Sequence, residues 1–124
     1  MKNTFLPILL ATCWISISEF VRNTFLVHQL WLEHFQSKGI EFPEAPVNGA
    51  VWGIWSLGMA VFIFILAKKF TLVQTALLAW ISGFVFMWMV IGNLGVLPFG
   101  ILALAIPLSL LEVFLATYIV KKLG

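Results

Sequence analysis

The sequence predicts an all-α membrane protein, a bundle of four transmembrane helices. Of its 124 residues, 62% are hydrophobic and only 10% are charged, whereas roughly a quarter are charged in soluble domains. Four apolar stretches each reach the length of about 20 residues that a helix needs to cross about 30 Å of hydrocarbon. Six Trp and twelve Phe suit the aromatic belts of such a bundle. We therefore expect one domain over residues 1–124.

Charged residues, Pro or Gly separate the four predicted spans. The spans cover about residues 5–26, 49–67, 72–92 and 100–120. The segment 28–47 mixes apolar and charged side chains, so we expect it to leave the membrane or to lie on its surface. The uncharged stretch GNLGVLPFG joins the last two spans. It fits either a loop that dips into the membrane or a tight apolar hairpin at the interface.

The lysines predict the orientation of the bundle. If there are four spans, five of the six lysines fall on one side: Lys2, Lys68, Lys69, Lys121 and Lys122. Only Lys38 falls on the other side. Because Lys-rich connections stay in the cytoplasm, the prediction is N-in and C-in. We expect the bacterial cytoplasmic (inner) membrane as the location and the lipid bilayer as a partner.

The beginning of the chain resembles a lipoprotein signal, because Lys2 is followed by an apolar run and by the residues LATC, which end at Cys13. However, Thr12 is unsuitable before a lipidated cysteine, and the chain stays apolar after it. We therefore expect an uncleaved first helix with Cys13 as a small buried apolar group. With a single cysteine, no intramolecular disulfide is expected.

The first span carries one polar stripe. On a helix of 100° per residue, Thr12, Ser16, Glu19 and Asn23 fall within about 60° of one another, with Arg22 beside them. In lipid this stripe must face other helices or water. Glu19 and Arg22 are spaced i and i+3, so they can form an ion pair along the helix. Such a pair fits either a fold-holding role or a working site.

A third ionisable group, Glu112, lies in the fourth span. No cation is within one helical turn of Glu112. The helical rise puts this residue about 13 Å deeper in the membrane than Lys121. A carboxyl group at this depth is a candidate proton carrier or ligand contact unless Arg22 pairs with it. The rise along the first span puts Glu19 about 25 Å from the inner boundary, so the two carboxyl groups are expected at different depths.

These residues define a candidate ligand or proton site. Its predicted members are Glu19, Arg22, Asn23, Asn93 and Glu112. Asn93 is included because the uncharged stretch that contains it could line the same cavity as Glu19. Pro107 removes a backbone donor within the fourth span, so it is the candidate hinge.

The second span carries a stripe of small residues. Gly49, Gly53, Ser56 and Ala60 are spaced i, i+4, i+7 and i+11, which allows two helices to cross closely. The stripe is a helix-packing face, either within the chain or in a homo-oligomer.

Other chemistry has little support in the sequence. The charge of +2 is dispersed, so we expect no nucleic-acid partner. His28 and His34 point about 120° apart on a helix, so we expect no shared metal. Neither a Gly-rich phosphate loop nor a nucleophile elbow is present, and we expect no cofactor.

In size, span number and first-span glutamate, the chain resembles the small multidrug resistance transporters, and its first-span arginine also resembles that of small fluoride channels. However, the residues around Glu19 read ISISEFVRN, and Arg22 and Glu112 are additional charges. The third span, WISGFVFMWMV, lacks the polar signature of the fluoride channels. The sequence is therefore assigned to no family.

Three functional hypotheses follow, in order of preference. The first is an intramembrane polar cavity that binds or passes a small solute or a proton, because buried charges are costly unless they pair or face water. The second is a structural or accessory subunit whose charges hold helices or a partner together. The third is an intramembrane enzyme acting on a lipidic substrate, and it comes last because no second catalytic group lies at a recognisable spacing.

Overall fold

The computed structural model describes residues 4–124, which form helices joined by short connections, with no strand in that range. Four helical stretches are long and apolar enough to cross a membrane: Phe5–Leu26, Pro46–Ala67, Leu72–Asn93 and Phe99–Leu123. The predicted all-α, four-span fold class is confirmed. Lys2 lies outside the described residues, so its part in the orientation argument stays a prediction.

The first span is helical throughout, but its geometry changes near its end. Helix α1 (Phe5–Val21) continues as a π-helical turn over Arg22–Leu26. At Val27 the backbone leaves the helical region, with φ −124° and ψ 9°, and helix α2 (His28–Ser37) begins immediately after it. This break separates the membrane span from the segment that we predicted to lie on or above the membrane surface.

Helix α3 (Pro46–Ala67) begins at Pro46 rather than at the predicted residue 49. Proline is favoured in the first turn of a helix, where its missing N–H needs no partner. In addition, Asn48 Oδ1 accepts a hydrogen bond of 3.0 Å from the backbone N of Ala45. The turn before the second span is therefore part of the helix.

The third span consists of helix α4 (Leu72–Trp80), a π-helical turn over Ile81–Val85 and helix α5 (Phe86–Asn93). The fourth begins with a 3₁₀ turn over Phe99–Ile101 and continues as helix α6 (Leu102–Leu123). Helix α6 is continuous through Pro107. The proposed hinge at this proline stays a prediction.

Small side chains allow the helices to pack closely. Helix α1 packs against α3 and α6, while α4 packs against α6 and α3. Six alanines belong to the main core: Ala11, Ala60, Ala67, Ala76, Ala79 and Ala116. In a membrane, where lipid tails solvate apolar surface as well as a protein does, such close backbone approach is a main source of helix association.

One end of the bundle brings the C-terminal helix against the turn between the second and third spans. Lys121 Nζ donates hydrogen bonds of 2.9 and 2.7 Å to the carbonyl oxygens of Ala67 and Phe70. These carbonyls lie at and just beyond the C-terminal end of α3, where a positive charge is favourable. Lys68, Lys69, Lys121 and Lys122 therefore share one end of the molecule.

The opposite end is covered by α2. His34 Nε2 lies 2.8 Å from the carbonyl oxygen of Gly95, in the connection between the third and fourth spans. Leu97 in this connection is buried with Val27 and Ile101 in a second apolar cluster. The uncharged stretch GNLGVLPFG is thus covered by protein in part, at Leu97 and Pro98, while Leu94 and Phe99 stay exposed.

The first helix corrects one expectation. Cys13 is exposed on the outer surface of the bundle, so its predicted burial within the protein is wrong. Ala11 and Ile15 form the buried face of α1 at this level. Because successive residues turn by about 100°, Cys13 points away from both of them.

Candidate functional site

Arg22 contacts both intramembrane glutamates. Its Nη2 donates a hydrogen bond to Glu19 Oε2, and its Nη1 lies 3.5 Å from Glu112 Oε1. All three residues are buried, with relative exposures of 8% for Glu19, 5% for Arg22 and 1% for Glu112. The sequence left open which acid Arg22 pairs with, and the structure pairs it with both.

We expected the carboxyl groups of Glu19 and Glu112 to lie at different depths in the bundle. Instead, both lie against Arg22. Side chains on a helix tilt towards the N-terminus of that helix. Because α1 and α6 run in opposite directions, the side chains of Arg22 and Glu112 lean towards each other. The backbone of Glu112 is still closer than that of Arg22 to the Lys-rich end of the bundle. At this level its carbonyl accepts a 2.9 Å hydrogen bond from Trp14 Nε1. Side-chain length therefore bridges the difference in backbone depth.

Both π-helical turns flank this cluster of three ionisable residues. Arg22 begins the first turn, and Phe84 lies in the second. The guanidinium carbon of Arg22 is 5.7 Å from the centroid of the Phe84 ring, within the range of a cation–π contact. Single π-helical turns occur frequently at functional sites.

Polar contacts continue from Glu19 to the surface. Asn23 Nδ2 donates to the backbone carbonyl of Glu19 at 3.0 Å and lies 3.5 Å from its Oε1. Asn23 Oδ1 in turn accepts a 3.1 Å hydrogen bond from Trp31 Nε1 on α2. Asn23, a predicted site residue, thus connects the acid to the helix above it.

The cluster is incompletely hydrogen-bonded. It contains two acids and one base. Within residues 4–124, Arg22 Nη1 and both carboxyl oxygens of Glu112 make no well-formed hydrogen bond, although the side chains of Ser18 and Glu19 lie close to the Glu112 carboxyl group. A buried polar atom without a partner usually indicates a water, an ion or a functional role.

Glu19 also lines a cavity of about 600 Å³ between α1 and α3. The walls come from α1, the π-helical turn that follows it, the first residue of α2, the connection after α2 and the first half of α3. They include the hydroxyls of Ser16, Thr24 and Ser56 and the rings of Phe20, Phe42 and Trp52. This volume is within the range of about 300–1,000 Å³ that is typical of small-molecule sites.

The small-residue stripe of α3 packs along only part of its length. Ser56 and Ala60 are buried against the bundle, as a packing face requires. Gly49 and Gly53 instead line the cavity, and a Cβ atom added at either position would meet no atom within 4 Å. These two glycines therefore do not serve a close helix crossing within this chain, and the alternative, a crossing in a homo-oligomer, stays a prediction. Their missing side chains leave space beside Glu19.

The connection that follows α2 forms one wall of this cavity. Phe42 stacks on Trp31 with ring centroids 5.8 Å apart and meets Phe35 edge-on at 5.0 Å. His28 Nε2 lies 3.0 Å from Glu44 Oε1, and both residues line the cavity. Aromatic packing and this polar contact hold the connection against α2.

Asn93 does not join the site. Asn93 is exposed at the end of α5, and it does not line the cavity next to Glu19. The connection beyond it turns under α2 rather than towards α1 and α3, because Leu97 is buried in the second apolar cluster. Our assignment of Asn93 to the cavity is therefore wrong.

The two histidines have separate partners, Glu44 for His28 and the Gly95 carbonyl for His34. In the part of the chain that the structure describes, no three His, Cys, Asp or Glu side chains are grouped as metal ligands would be.

Sequence reasoning missed several residues of the site. Phe42 and Phe84 have no pattern that distinguishes them from other aromatic residues of an apolar chain. The polar contact between His28 and Glu44 was also missed, although both lie in the segment singled out as amphipathic.

No family model, curated protein or solved structure matches this chain. The class that the fold and composition support is a four-helix membrane protein, and any function has to be argued from the site.

Proposed function

We propose that this protein binds a small solute in the cavity between α1 and α3, as a transport or solute-recognition protein of the membrane. The observation that carries the proposal is the position of Glu19, which lines a cavity of about 600 Å³ and also belongs to a buried charged cluster. An acid that only held helices together would need no adjoining space.

Two features support a binding role. Gly49 and Gly53 keep the cavity open where larger side chains would fit. The hydroxyl and amide groups of Ser16, Asn23 and Asn48 lie among apolar walls. A few polar groups in an otherwise apolar cavity are typical of sites that orient a small ligand.

We also propose which side of the membrane the cavity faces. It lies at the end of the bundle opposite Lys68, Lys69, Lys121 and Lys122. If the Lys-rich end is cytoplasmic, the cavity opens towards the outer side of the cytoplasmic membrane.

The proposal is tested by filling the cavity. The melting temperature of the purified protein in a maltoside detergent is measured with three probes of different charge: benzyltrimethylammonium, N,N-dimethylbenzamide and benzenesulfonate. A probe at about 100 times its Kd stabilises the folded state by about 2.7 kcal/mol. We expect at least one probe to raise the melting temperature of the wild type, and Gly53→Leu to abolish the increase.

The matched control is Gly58→Leu. Gly58 is also on α3, has no atom within 4 Å of an added Cβ, and does not line this cavity. It should leave the probe effect unchanged. Equal responses of the wild type and Gly53→Leu to all three probes would contradict a binding site here.

A second function has its own supporting observation. Because Arg22 contacts both acids, the cluster is also suited to hold α1 against α6 in a structural or accessory subunit. In that case Glu19→Gln would lower the melting temperature. Each probe would then change the melting temperatures of the wild type and of Gly53→Leu by the same amount.

A further inference from the structure

We infer that this cavity binds the uncharged, hydroxyl-bearing headgroup of an amphiphilic lipid, while the chain of that lipid stays in the surrounding leaflet. The inference rests on the proposed binding function and names the chemical class of the ligand. Four features of the cavity carry it: its depth in the membrane, its opening at the side, the charge of its walls and their hydrogen-bonding groups.

The cavity extends from one end of the bundle to the middle of the membrane. Its deepest residue on α1, Ser16, lies ten residues before Leu26, the last residue of the first span. Its deepest residue on α3, Ser56, lies ten residues after Pro46, the first residue of the second span. Ten residues of helix rise by about 15 Å, which is half of the roughly 30 Å hydrocarbon layer. The cavity therefore occupies the depth of one leaflet, the leaflet next to α2.

The cavity is open at its side, between α1 and α3. His28 and the connection 42–45 line the end nearest α2, so protein separates much of the cavity from the water above it. Within the two spans, by contrast, Phe20 is 57% exposed, Trp52 is 43% exposed and Gly53 is also exposed. Exposed side chains at this depth border lipid rather than water. A headgroup can therefore enter sideways from the leaflet without taking its chain out of the lipid.

The walls require no charge on the headgroup. Glu19 already has a counter-charge, because Arg22 donates a hydrogen bond to its Oε2. The other acid of the cavity, Glu44, has a half-exposed side chain and contacts His28 at 3.0 Å. Within residues 4–124, no lysine or arginine lines the cavity, so no basic side chain there would attract an anion. An uncharged headgroup is therefore the one that these walls match.

Hydrogen-bonding groups are available to such a headgroup. Glu19 Oε1 lies 3.5 Å from Asn23 Nδ2, a long contact that leaves this oxygen able to accept a stronger hydrogen bond. The hydroxyl groups of Ser16, Thr24 and Ser56 line the same space, and each has capacity to accept a further hydrogen bond. Polar groups at membrane depth cost free energy unless they are paired. A headgroup with several hydroxyl groups would pair them, whereas a hydrocarbon chain would not.

Photolabelling in detergent-free phosphatidylcholine nanodiscs tests the inference. The probe is a monoacylglycerol that carries a diazirine next to its glycerol ester, and peptide mass spectrometry measures its attachment to residues 16–24 and 46–56. We expect these cavity segments to be labelled at least about threefold more than α5, whose residues are also exposed to lipid but do not line the cavity. Excess monooleoylglycerol should lower the labelling of the cavity segments by about fivefold and leave that of α5 unchanged.

Competitors with the same oleoyl chain identify the headgroup. Methyl oleate has no hydroxyl group, oleoylcholine is a cation, and oleoyl lysophosphatidylglycerol is an anion. We expect monooleoylglycerol to displace the probe at least about fivefold better than each of these three. Thr24→Val removes one hydroxyl group from the cavity, so it should weaken displacement by monooleoylglycerol by about threefold and leave that by methyl oleate unchanged.

Two glycine variants of α3 show whether the probe is inside the cavity. Gly53→Leu should lower the labelling of residues 16–24 and 46–56 to the level of α5, because the new side chain occupies the space beside Glu19. Gly58→Leu adds the same side chain to the same helix outside this cavity. Its labelling should equal that of the wild type.

The outcomes separate the inference from the proposed function. If Gly53→Leu abolishes the labelling but any of the three other competitors displaces the probe as well as monooleoylglycerol does, the cavity binds a ligand and the uncharged hydroxylated headgroup is overturned. If the cavity segments of the wild type are labelled no more than α5, the inference fails, while a melting-temperature increase that Gly53→Leu abolishes would still support the proposed function. Selective displacement by monooleoylglycerol that is lost in Gly53→Leu and kept in Gly58→Leu supports both.

Discussion

Arg22 is the residue on which the charged cluster depends. It provides the guanidinium group for two buried acids and faces the ring of Phe84. Removing one partner of a buried ion pair leaves an uncompensated charge, which costs more than the pair contributes when intact. Here the loss of Arg22 would leave Glu19 uncompensated beside a second acid, whereas the loss of Glu112 would leave the pair of Glu19 and Arg22 intact.

This asymmetry gives a prediction for stability. Arg22→Met should lower the free energy of unfolding by roughly 3 to 5 kcal/mol. Glu112→Gln should lower it much less, because Glu19 and Arg22 can still pair. The measurement is denaturant-induced unfolding in maltoside micelles followed by circular dichroism. Combining Arg22→Met with Glu112→Leu should recover part of the lost stability. Equal stability of Arg22→Met and the wild type would contradict a stabilising role of the cluster.

At the scale of elements, the cavity depends on a short connection held in place by aromatic contacts. Phe42 packs on α2 through Trp31 and Phe35 while also lining the cavity. The break at Val27 allows α2 to turn over the bundle and present these rings. The position of one wall of the site is therefore set by contacts outside the membrane spans.

Removal of the Phe42 ring should release this connection. An aromatic pair contributes about 0.5 to 1.5 kcal/mol beyond its buried area, so Phe42→Ala should increase amide hydrogen exchange over residues 39–45 by roughly fivefold. Exchange in α4 should not change. Phe86→Ala is the control, because Phe86 is exposed on α5 and does not line the cavity. If residues 39–45 exchanged equally fast in Phe42→Ala and in the wild type, the ring of Phe42 would not hold the connection.

Sequence reasoning predicted the spans well because hydropathy is a local property. It also predicted that Glu19 and Arg22 could pair, since their spacing places them on one face of a helix. The contact between Arg22 and Glu112 joins residues of two different spans, so it depends on which helices are neighbours and how their side chains tilt. No local pattern contains that information.

The part that Gly49 and Gly53 play in the cavity was missed for a related reason. A stripe of small residues predicts close packing, but the same glycines leave open space where two helices diverge. Gly49 and Gly53 lie in the open part of the stripe, and Ser56 and Ala60 lie in the packed part. Only the three-dimensional arrangement of α1 and α3 distinguishes the two parts.

At the scale of the whole molecule, the two ends of the bundle differ. One end is drawn together by Lys121, which reaches the carbonyls of Ala67 and Phe70. The other carries the cavity, the connection that contains Phe42, and α2. The proposed function therefore depends on which end faces the cytoplasm, since that decides the compartment from which a solute enters.

The orientation can be measured by labelling single cysteines in intact cells. Cys13 is the only native cysteine, so Cys13→Ser provides a background for Glu41→Cys near the cavity and Lys122→Cys at the Lys-rich end; both positions are exposed. N-in and C-in orientation predicts that a membrane-impermeant maleimide labels Glu41→Cys in intact cells and Lys122→Cys only after permeabilisation. The unsubstituted background is the control. The reverse pattern would contradict the positive-inside prediction and would open the cavity to the cytoplasm, whereas labelling of both sites in intact cells would mean that the chain inserts in two orientations.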